Sequence, residues 1–337
     1  MRNPTALRFQ DLAGELQAAA PHIDIAAILA KQAPRVAVLL PCLNEAAAIG
    51  EVVAEFRRAL PDATVYVYDN NSTDGTAAIA KAAGAVVRRE RLPGKGNVVR
   101  RMFADIEADI YVLADGDLTY DASRAPELVK AVVEDELDMI VAARDGGGNK
   151  AYRRGHRLGN QLFNIVVEKL FGQAFNDIFS GYRAFSRRFV KSFPASASGF
   201  ETEAELSIHA LDLRLATAEV KLAYRERPEN SKSKLRTYHD GARILWTIGR
   251  MYYALYPMRV FGCMGAGLAL LSLGIGAPVI LEFMRSGLVP KFPSAILAAA
   301  LMQLSWLALV CGIILQAISG SRREMKRMRY LDLESVR

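Results

Sequence analysis

Asp115-Gly116-Asp117 closes the apolar run Ile110–Leu113, so two carboxylates one residue apart stand at the end of a segment that reads as a buried strand. Such a pair can share one hard divalent cation, Mg2+ or Mn2+, since both prefer oxygen ligands. A cation held there neutralises a diphosphate and stabilises it as a leaving group. Asp-x-Asp alone is most often a solvated turn, so its weight depends on what accompanies it. Lys95 lies between Gly94 and Gly96, where the backbone can approach a phosphate and the ammonium can meet its oxygens. The spacing is not Gly-x-x-x-x-Gly-Lys-Ser/Thr, which disfavours a P-loop ATPase. His156, His209 and His239 have no recognisable catalytic partner, and Cys42, Cys263 and Cys311 show no Cys-x-x-Cys spacing. Ser-His-Asp chemistry, a zinc site and a disulfide framework are therefore not expected.

The elements that must position these groups alternate in type. Val36–Leu40, Val65–Tyr68, Val86–Arg88, Ile110–Leu113 and Met139–Ala142 read as buried strands. Glu45–Leu60, Asp74–Ala83, Gly96–Ala108 and Arg124–Glu136 read as the helices between them. This βαβα rhythm predicts an α/β fold, with a mostly parallel sheet covered on both faces and ligands gathered at the carboxyl ends of its strands. The polar segments Pro41–Glu45, Asp69–Gly75 and Asp115–Asp117 fall at those ends, so one crevice is expected to collect all three. Beyond Arg144 the pattern loosens. Asp145–Lys150 reads as a flexible loop leading to Arg153, Arg154, His156 and Arg157, read as an anion clamp. Glu201, Glu203 and Glu205 are read with equal weight as a site carboxylate or a solvated helix face.

Six ordered motifs then carry a resemblance: Val38–Glu45, Tyr68–Thr76, Pro93–Gly96, Ala114–Asp117, Ser180–Arg183 and Arg227–Leu235. Over about residues 35–320 the chain resembles family 2 glycosyltransferases of GT-A fold, a Rossmann-like α/β domain. More narrowly it looks like a polyprenyl-phosphate glycosyltransferase, the group that includes dolichyl-phosphate mannose synthases and bactoprenol sugar transferases with two carboxy-terminal transmembrane helices. The resemblance implies inverting transfer of a sugar from a UDP- or GDP-linked donor to a lipid phosphate such as undecaprenyl phosphate, with Mg2+ or Mn2+ as cofactor. It places Pro41, Glu45 and Asp69 on the nucleoside, Lys95 on the diphosphate, Asp115 on ribose or metal, and Asp117 on the metal. Arg144, Arg183 and Arg227 would hold donor or acceptor phosphates, making them with Asp117 the catalytic set. Arg153, Arg154 and Lys234 would join Arg183 and Arg227 on the lipid phosphate. Two departures affect this transfer of roles. Thr119 stands where mannose synthases often have Gln, and Asn230 replaces a Gly in the Arg227–Lys234 element.

Two uncharged apolar stretches, Val260–Leu281 and Phe292–Ser319, each exceed the roughly 20 residues that cross a hydrocarbon layer. Gly262, Gly265, Gly267, Gly274 and Gly276 suit close helix packing in lipid. The short connection makes the stretches a hairpin. Arg243, Arg250 and Arg259 precede it, and Arg322, Arg323, Lys326, Arg327 and Arg329 follow it, which predicts both flanks on the cytoplasmic side of the inner membrane. Net charge is +7. Because much of that excess flanks the spans, it is read as membrane affinity and not nucleic-acid binding. Between domain and hairpin, residues 235–258 read as an interfacial amphipathic helix with Arg236, Arg243 and Arg250 in one stripe. The alternative there is an ordinary packing helix.

The expected division is therefore an extension at 1–34, a catalytic domain at 35–234, a juxtamembrane helix at 235–258, a hairpin at 259–319 and a basic cytoplasmic tail at 320–337. Asp11, Glu15 and Asp24 interrupt any apolar export signal in the extension. Homo-oligomerisation through the glycine-bearing spans is a further expectation. The competing readings are a processive polysaccharide synthase and a catalytically silent membrane scaffold.

Overall fold

The computed structural model describes residues 34–145, 164–170, 175–225, 227 and 237–333. All but the last residue of the expected extension at 1–34, the loop and basic cluster containing Arg153 and Arg154, and Lys234 lie outside the described residues.

The β-branched runs form strands where their composition predicts them, although Val86–Arg88, read as buried, falls in an edge strand that is mostly exposed. They are β1 (Val36–Cys42), β2 (Thr64–Asp69), β3 (Val86–Arg89), β4 (Ile110–Leu113) and β5 (Met139–Asp145). Two more strands complete a seven-stranded sheet: β6 (Arg183–Ser186) and β7 (Thr217–Ala223). The order is β3-β2-β1-β4-β6-β5-β7. β1 pairs in parallel with β2 and β4, β5 pairs in parallel with β7, and β6 alone runs antiparallel between β4 and β5. The sheet is thus mostly parallel, and the carboxyl ends of β1, β2, β4 and β5 share one edge.

Strand side chains alternate between the two faces. Val38, Leu40 and Cys42 pack with α1 (Ile49–Ala59), α2 (Thr76–Ala82) and α4 (Ala125–Glu134). Ala37 and Leu39 pack on the opposite face with α3 (Lys95–Asp105), α5 (Arg187–Ser192) and α6 (Thr202–Leu213). α7 (Thr237–Leu255) joins that second layer through Ile244 and Ile248 while leaving Leu245, Trp246 and Tyr253 exposed. It is therefore a packing helix on one face and apolar toward solvent on the other.

α8 (Pro257–Ser286) and α9 (Phe292–Leu331) are long and apolar enough to cross a membrane, their most apolar 18-residue windows having mean hydropathies of 2.0 and 2.1. Their apolar windows are 17% buried, whereas the core helix of a soluble protein is mostly covered. Ser272 Oγ donates to Ala298 O at 2.7 Å and Ser305 Oγ to Gly265 O at 2.8 Å, satisfying hydroxyls within the hairpin. Gly265 and Gly276 lie at this seam, but Gly262, Gly267 and Gly274 meet no neighbour.

The segment after Ser319 departs from a free basic tail. α9 continues through it unbroken and docks on the catalytic domain. Arg323 Nε and Lys326 Nζ donate to the two carboxylate oxygens of Asp212 at 2.7 and 3.1 Å. Tyr330 OH donates to Asp138 Oδ2 at 3.0 Å, and Arg188 Nε donates to Leu333 O at 2.8 Å. Part of the basic cluster that reads as lipid-facing thus binds protein carboxylates.

Candidate active site

The crevice is assembled by loop-to-loop hydrogen bonds at the carboxyl ends of β1 and β2. Asn44 Oδ1 accepts from Thr73 N at 2.7 Å, while the backbone N–H groups of Asn44, Glu45 and Ala46 donate to Ser72 Oγ, Thr76 Oγ1 and Asp74 Oδ2. Asn70 extends this lacing to a third loop. Its Nδ2 donates to Glu90 O at 3.0 Å and Leu92 O at 2.8 Å, and its Oδ1 accepts from Gly94 N at 2.8 Å. Pro41, Glu45 and Asp69 consequently share this end of the sheet, with Glu45 and Asp69 buried.

Lys95 is the junction between this region and the acidic pair. Its Nζ is paired with Asp115 and lies 2.5 Å from Glu203 Oε1. Burial alone would lower the ammonium's pKa, but the two carboxylates outweigh it and push it up. Glu203 Oε2 is buried with no hydrogen-bond partner. The glycines beside Lys95 permit the close approach: a Cβ on Gly96 would stand 2.3 Å from Ala197 O, and Gly94 has φ +121°. Gly96 N instead donates to Ser198 O at 3.1 Å.

Asp117 is 3% exposed, and both of its oxygens are engaged. Thr119 donates to Oδ1 from its hydroxyl at 2.6 Å and from its backbone at 3.2 Å, while Arg227 Nη2 reaches Oδ2 at 2.6 Å. Burial and the charge of Asp115 raise the Asp117 pKa against the pull of Arg227. The turn between the carboxylate and its threonine is strained, since Leu118 adopts φ 63° without the freedom of glycine. β7 delivers Arg227 because its continuation runs beside this turn, with Tyr120 bridged to Tyr224 and Arg225 N donating to Thr119 O at 2.8 Å.

The arginines separate into different roles. Arg144, at the end of β5, grips Asp177 in a two-pronged pair at 2.6 and 2.8 Å and lies over the Tyr224 ring. That pairing holds the Asp177 carboxyl below its ordinary range despite burial. Arg183, expected on a phosphate, is fully buried. Its guanidinium donates to Ser180 O at 2.9 Å, Ile178 O at 2.7 Å and Ser207 Oγ at 3.0 Å, and burial draws its pKa down to about 10. It braces the loop before β6 from inside the core and does not face the crevice. The same loop sets Gly181 against Asp115, where a Cβ would lie 2.6 Å from Oδ2.

The acidic run on α6 is likewise internal. Glu201, Glu203 and Glu205 are all buried, which overturns the solvated-face alternative. Glu205 accepts from Ser196 N and Ala197 N at 2.8 Å each, fixing the segment that touches the Lys95 loop. Asp177 escapes sequence reasoning, and Asn70 is read only as one member of the polar segment Asp69–Gly75. Their loops are legible, but which polar side chain turns inward to tie them is set by three-dimensional closure.

Among the described residues, no group of three or more His, Cys, Asp or Glu side chains gathers as a metal cage. Asp115 and Asp117 nonetheless suit a hard cation that takes one or two carboxylates and completes its shell with diphosphate oxygens and water. The crowding that raises the Asp117 pKa is what a dication would relieve.

A mostly parallel α/β sheet with an acidic pair and a lysine at one strand-end crevice defines a GT-A glycosyltransferase. The Glycosyl transferase family 2 model matches residues 37–193, and the chain belongs to that family. It is 31% identical over 302 residues to glycosyltransferase AglJ of Haloferax volcanii, covering 88% of this chain and 98% of the relative. It is 29% identical over 208 residues to a dolichyl-phosphate hexose transferase of the same organism, covering 62% of this chain and 90% of the relative. Among solved structures it resembles Mycobacterium tuberculosis glucosyl-3-phosphoglycerate synthase, crystallised with Mn2+, UDP and glucosyl-3-phosphoglycerate. That similarity has a TM-score of 0.54 at 26% identity and covers 70% of this chain and 82% of the other.

Proposed function

We propose that this glycosyltransferase moves one sugar from a UDP- or GDP-linked donor to a polyprenyl phosphate such as undecaprenyl phosphate, with inversion, at the cytoplasmic face of the inner membrane. The observation that carries the reading is the Asp115–Lys95–Glu203 chain beside Asp117–Arg227, in a polypeptide ending in two helices long enough to span. The dolichyl-phosphate hexose transferase relative supports the acceptor class, and the basic flanks of α8 and α9 support the orientation.

In this reading an oxygen of the acceptor phosphate attacks the anomeric carbon, the bond from that carbon to the diphosphate breaks, and the nucleoside diphosphate departs with the electron pair. The acceptor is already largely ionised near neutral pH, so it needs orientation and charge compensation more than a strong base. Lys95 turns a donor to the diphosphate while Glu203 keeps its ammonium in place. Arg227 and Arg144 are assigned to the donor diphosphate, with their charge already shared by Asp117 and Asp177. Pro41, Glu45 and Asp69 receive the nucleoside, and Arg153, Arg154 and Lys234 are assigned to the lipid phosphate. Asp115 and Asp117 would hold Mg2+ or Mn2+, which offsets diphosphate charge when bound.

The test is to incubate the purified full-length protein with undecaprenyl phosphate, Mg2+ or Mn2+, and a panel of nucleotide sugars. One monoglycosylated lipid from one donor is expected. No glycolipid from any donor, or a growing polymer, overturns the proposal.

A further inference from the structure

We propose that Arg243 of α7 is an acceptor-binding residue that takes the lipid phosphate at the bilayer surface and presents it at the rim of the crevice. This rests on the polyprenyl-phosphate reading above.

The first observation is where α7 lies. It ends at Leu255, with Tyr256 alone between it and the start of α8 at Pro257, so its last turn lies close to the point at which the chain would enter the hydrocarbon layer. Ile244, Thr247 and Ile248 are buried against the domain. Arg243, Trp246, Arg250 and Tyr253 recur at steps of three and four residues and share the outward face. Trp246 is 74% exposed and Tyr253 43%. Cations interleaved with aromatic rings suit the headgroup layer, where the rings sit in the interface and the charges meet phosphates. Tyr256, which follows α7, marks the same level, with Arg259 4.6 Å and Arg323 6.0 Å from its ring centre.

The second observation ties this face to the chemistry. A Cβ placed on Gly199 would lie 3.4 Å from Arg243 Nη1 and 2.7 Å from Glu201 Oε2. Gly199 belongs to the segment whose Ser198 carbonyl accepts from Gly96 N, next to Lys95. A guanidinium rooted in the membrane-proximal helix therefore stands one loop away from the ammonium assigned to the diphosphate.

The third observation is the engagement of the other site arginines among the described residues, which do not include Arg153, Arg154 or Lys234. Arg183 is sealed in the core, Arg144 is gripped by Asp177, and Arg227 is committed to Asp117. An acceptor phosphate approaching a donor diphosphate suffers like-charge repulsion. A cation at the membrane-side rim offsets this at the point of entry.

The experiment uses full-length protein in neutral phosphatidylcholine vesicles, with undecaprenyl phosphate varied at a saturating level of the donor accepted in the panel above, and then that donor varied at saturating undecaprenyl phosphate. Arg243→Ala is expected to raise the KM for undecaprenyl phosphate by about tenfold, the worth of one charge-assisted contact, while the KM for donor stays unchanged. Arg243→Lys should recover part of the loss. An unchanged acceptor KM in an active, folded Arg243→Ala protein overturns the inference and leaves the proposed function standing. A raised donor KM overturns it too, because Arg243 would then act through the Gly199 segment on Lys95. Repeating the series in vesicles enriched in phosphatidylglycerol separates the two phosphate sources. A difference between wild type and variant that appears there and is missing from neutral vesicles assigns Arg243 to bulk anionic lipid and overturns the acceptor role. A wild-type protein that makes no glycolipid overturns both proposals.

Discussion

Lys95 sits between two carboxylates, and an ammonium has three donors to distribute. Glu203 can therefore retain it while Asp115 is released to an incoming ligand, so the free-state ion pair serves as a charge-balanced resting arrangement. Lys95→Met keeps the length of the side chain and removes its charge. Its kcat/KM is expected to fall by about 10²–10³-fold, the usual cost of one donor aimed at developing charge. Glu203→Gln keeps the shape and weakens the tether, so a smaller loss, about tenfold, is expected. Steady-state kinetics with varied donor measure both, and wild-type values for either variant contradict this account.

At the scale of elements, the contact of α3's first turn with the Ala197–Ser198 segment is close enough to exclude any side chain at position 96. Gly96→Ala would drive a methyl into the Ala197 carbonyl and cost about 1–3 kcal/mol by overpacking. Its melting temperature and its affinity for donor nucleotide should both fall.

α6 carries a pH dependence as well. His209 packs between the Phe189 and Phe193 rings with Nε2 3.2 Å from Ser192 Oγ, and burial, with Lys326 nearby, drives its pKa down to about 3. The fold keeps the imidazole neutral, whereas the unfolded chain protonates it near 6.5. Stability from this group is thus complete above the unfolded value and is lost as pH falls from there toward 3, by about 1.4 kcal/mol per pH unit inside the window. Thermal melts between about pH 5 and 7 should show that slope, flattened in His209→Gln.

Whereas β3 showed only as a short valine pair on an edge strand that is mostly exposed, the strands β1, β2, β4 and β5 were legible because β-branched runs bury both faces of a parallel sheet. β6 was not, since a four-residue strand beginning with Arg183 carries no strand pattern and its guanidinium is satisfied by carbonyls that only the closed fold supplies. β7 is an edge strand whose Glu219 and Lys221 dilute its apolar signal. In the site, Asp115, Asp117 and Lys95 were readable because their types and neighbours announce diphosphate chemistry. Glu203 was only half readable: α6 is buried nearly all round, so its carboxylates lie on no polar stripe that periodicity could reveal.

For the whole molecule, the junction between the last helix and the domain rests on Asp212, whose side chain is 1% exposed and shared by Arg323 and Lys326. Asp212→Ala strands two cations that can still reach water, so a loss of about 1–3 kcal/mol is expected. Deuterium exchange should rise in α6 and in residues 320–331, and turnover of vesicle-borne acceptor should fall further than affinity for donor. Unchanged exchange in both segments would remove Asp212 from this role.

α9 has 40 residues, so it runs about 60 Å end to end, roughly twice the depth of a hydrocarbon layer. One continuous rod therefore begins at the far turn of the hairpin and finishes against the base of the sugar-transfer domain. In the proposed membrane setting, anything that tilts this rod, including a change in bilayer thickness, would raise or lower the crevice above the headgroups. Under the proposed function, the rod that anchors the enzyme would thereby also be a gauge, with lipid chain length setting how far an acceptor must rise to be glycosylated.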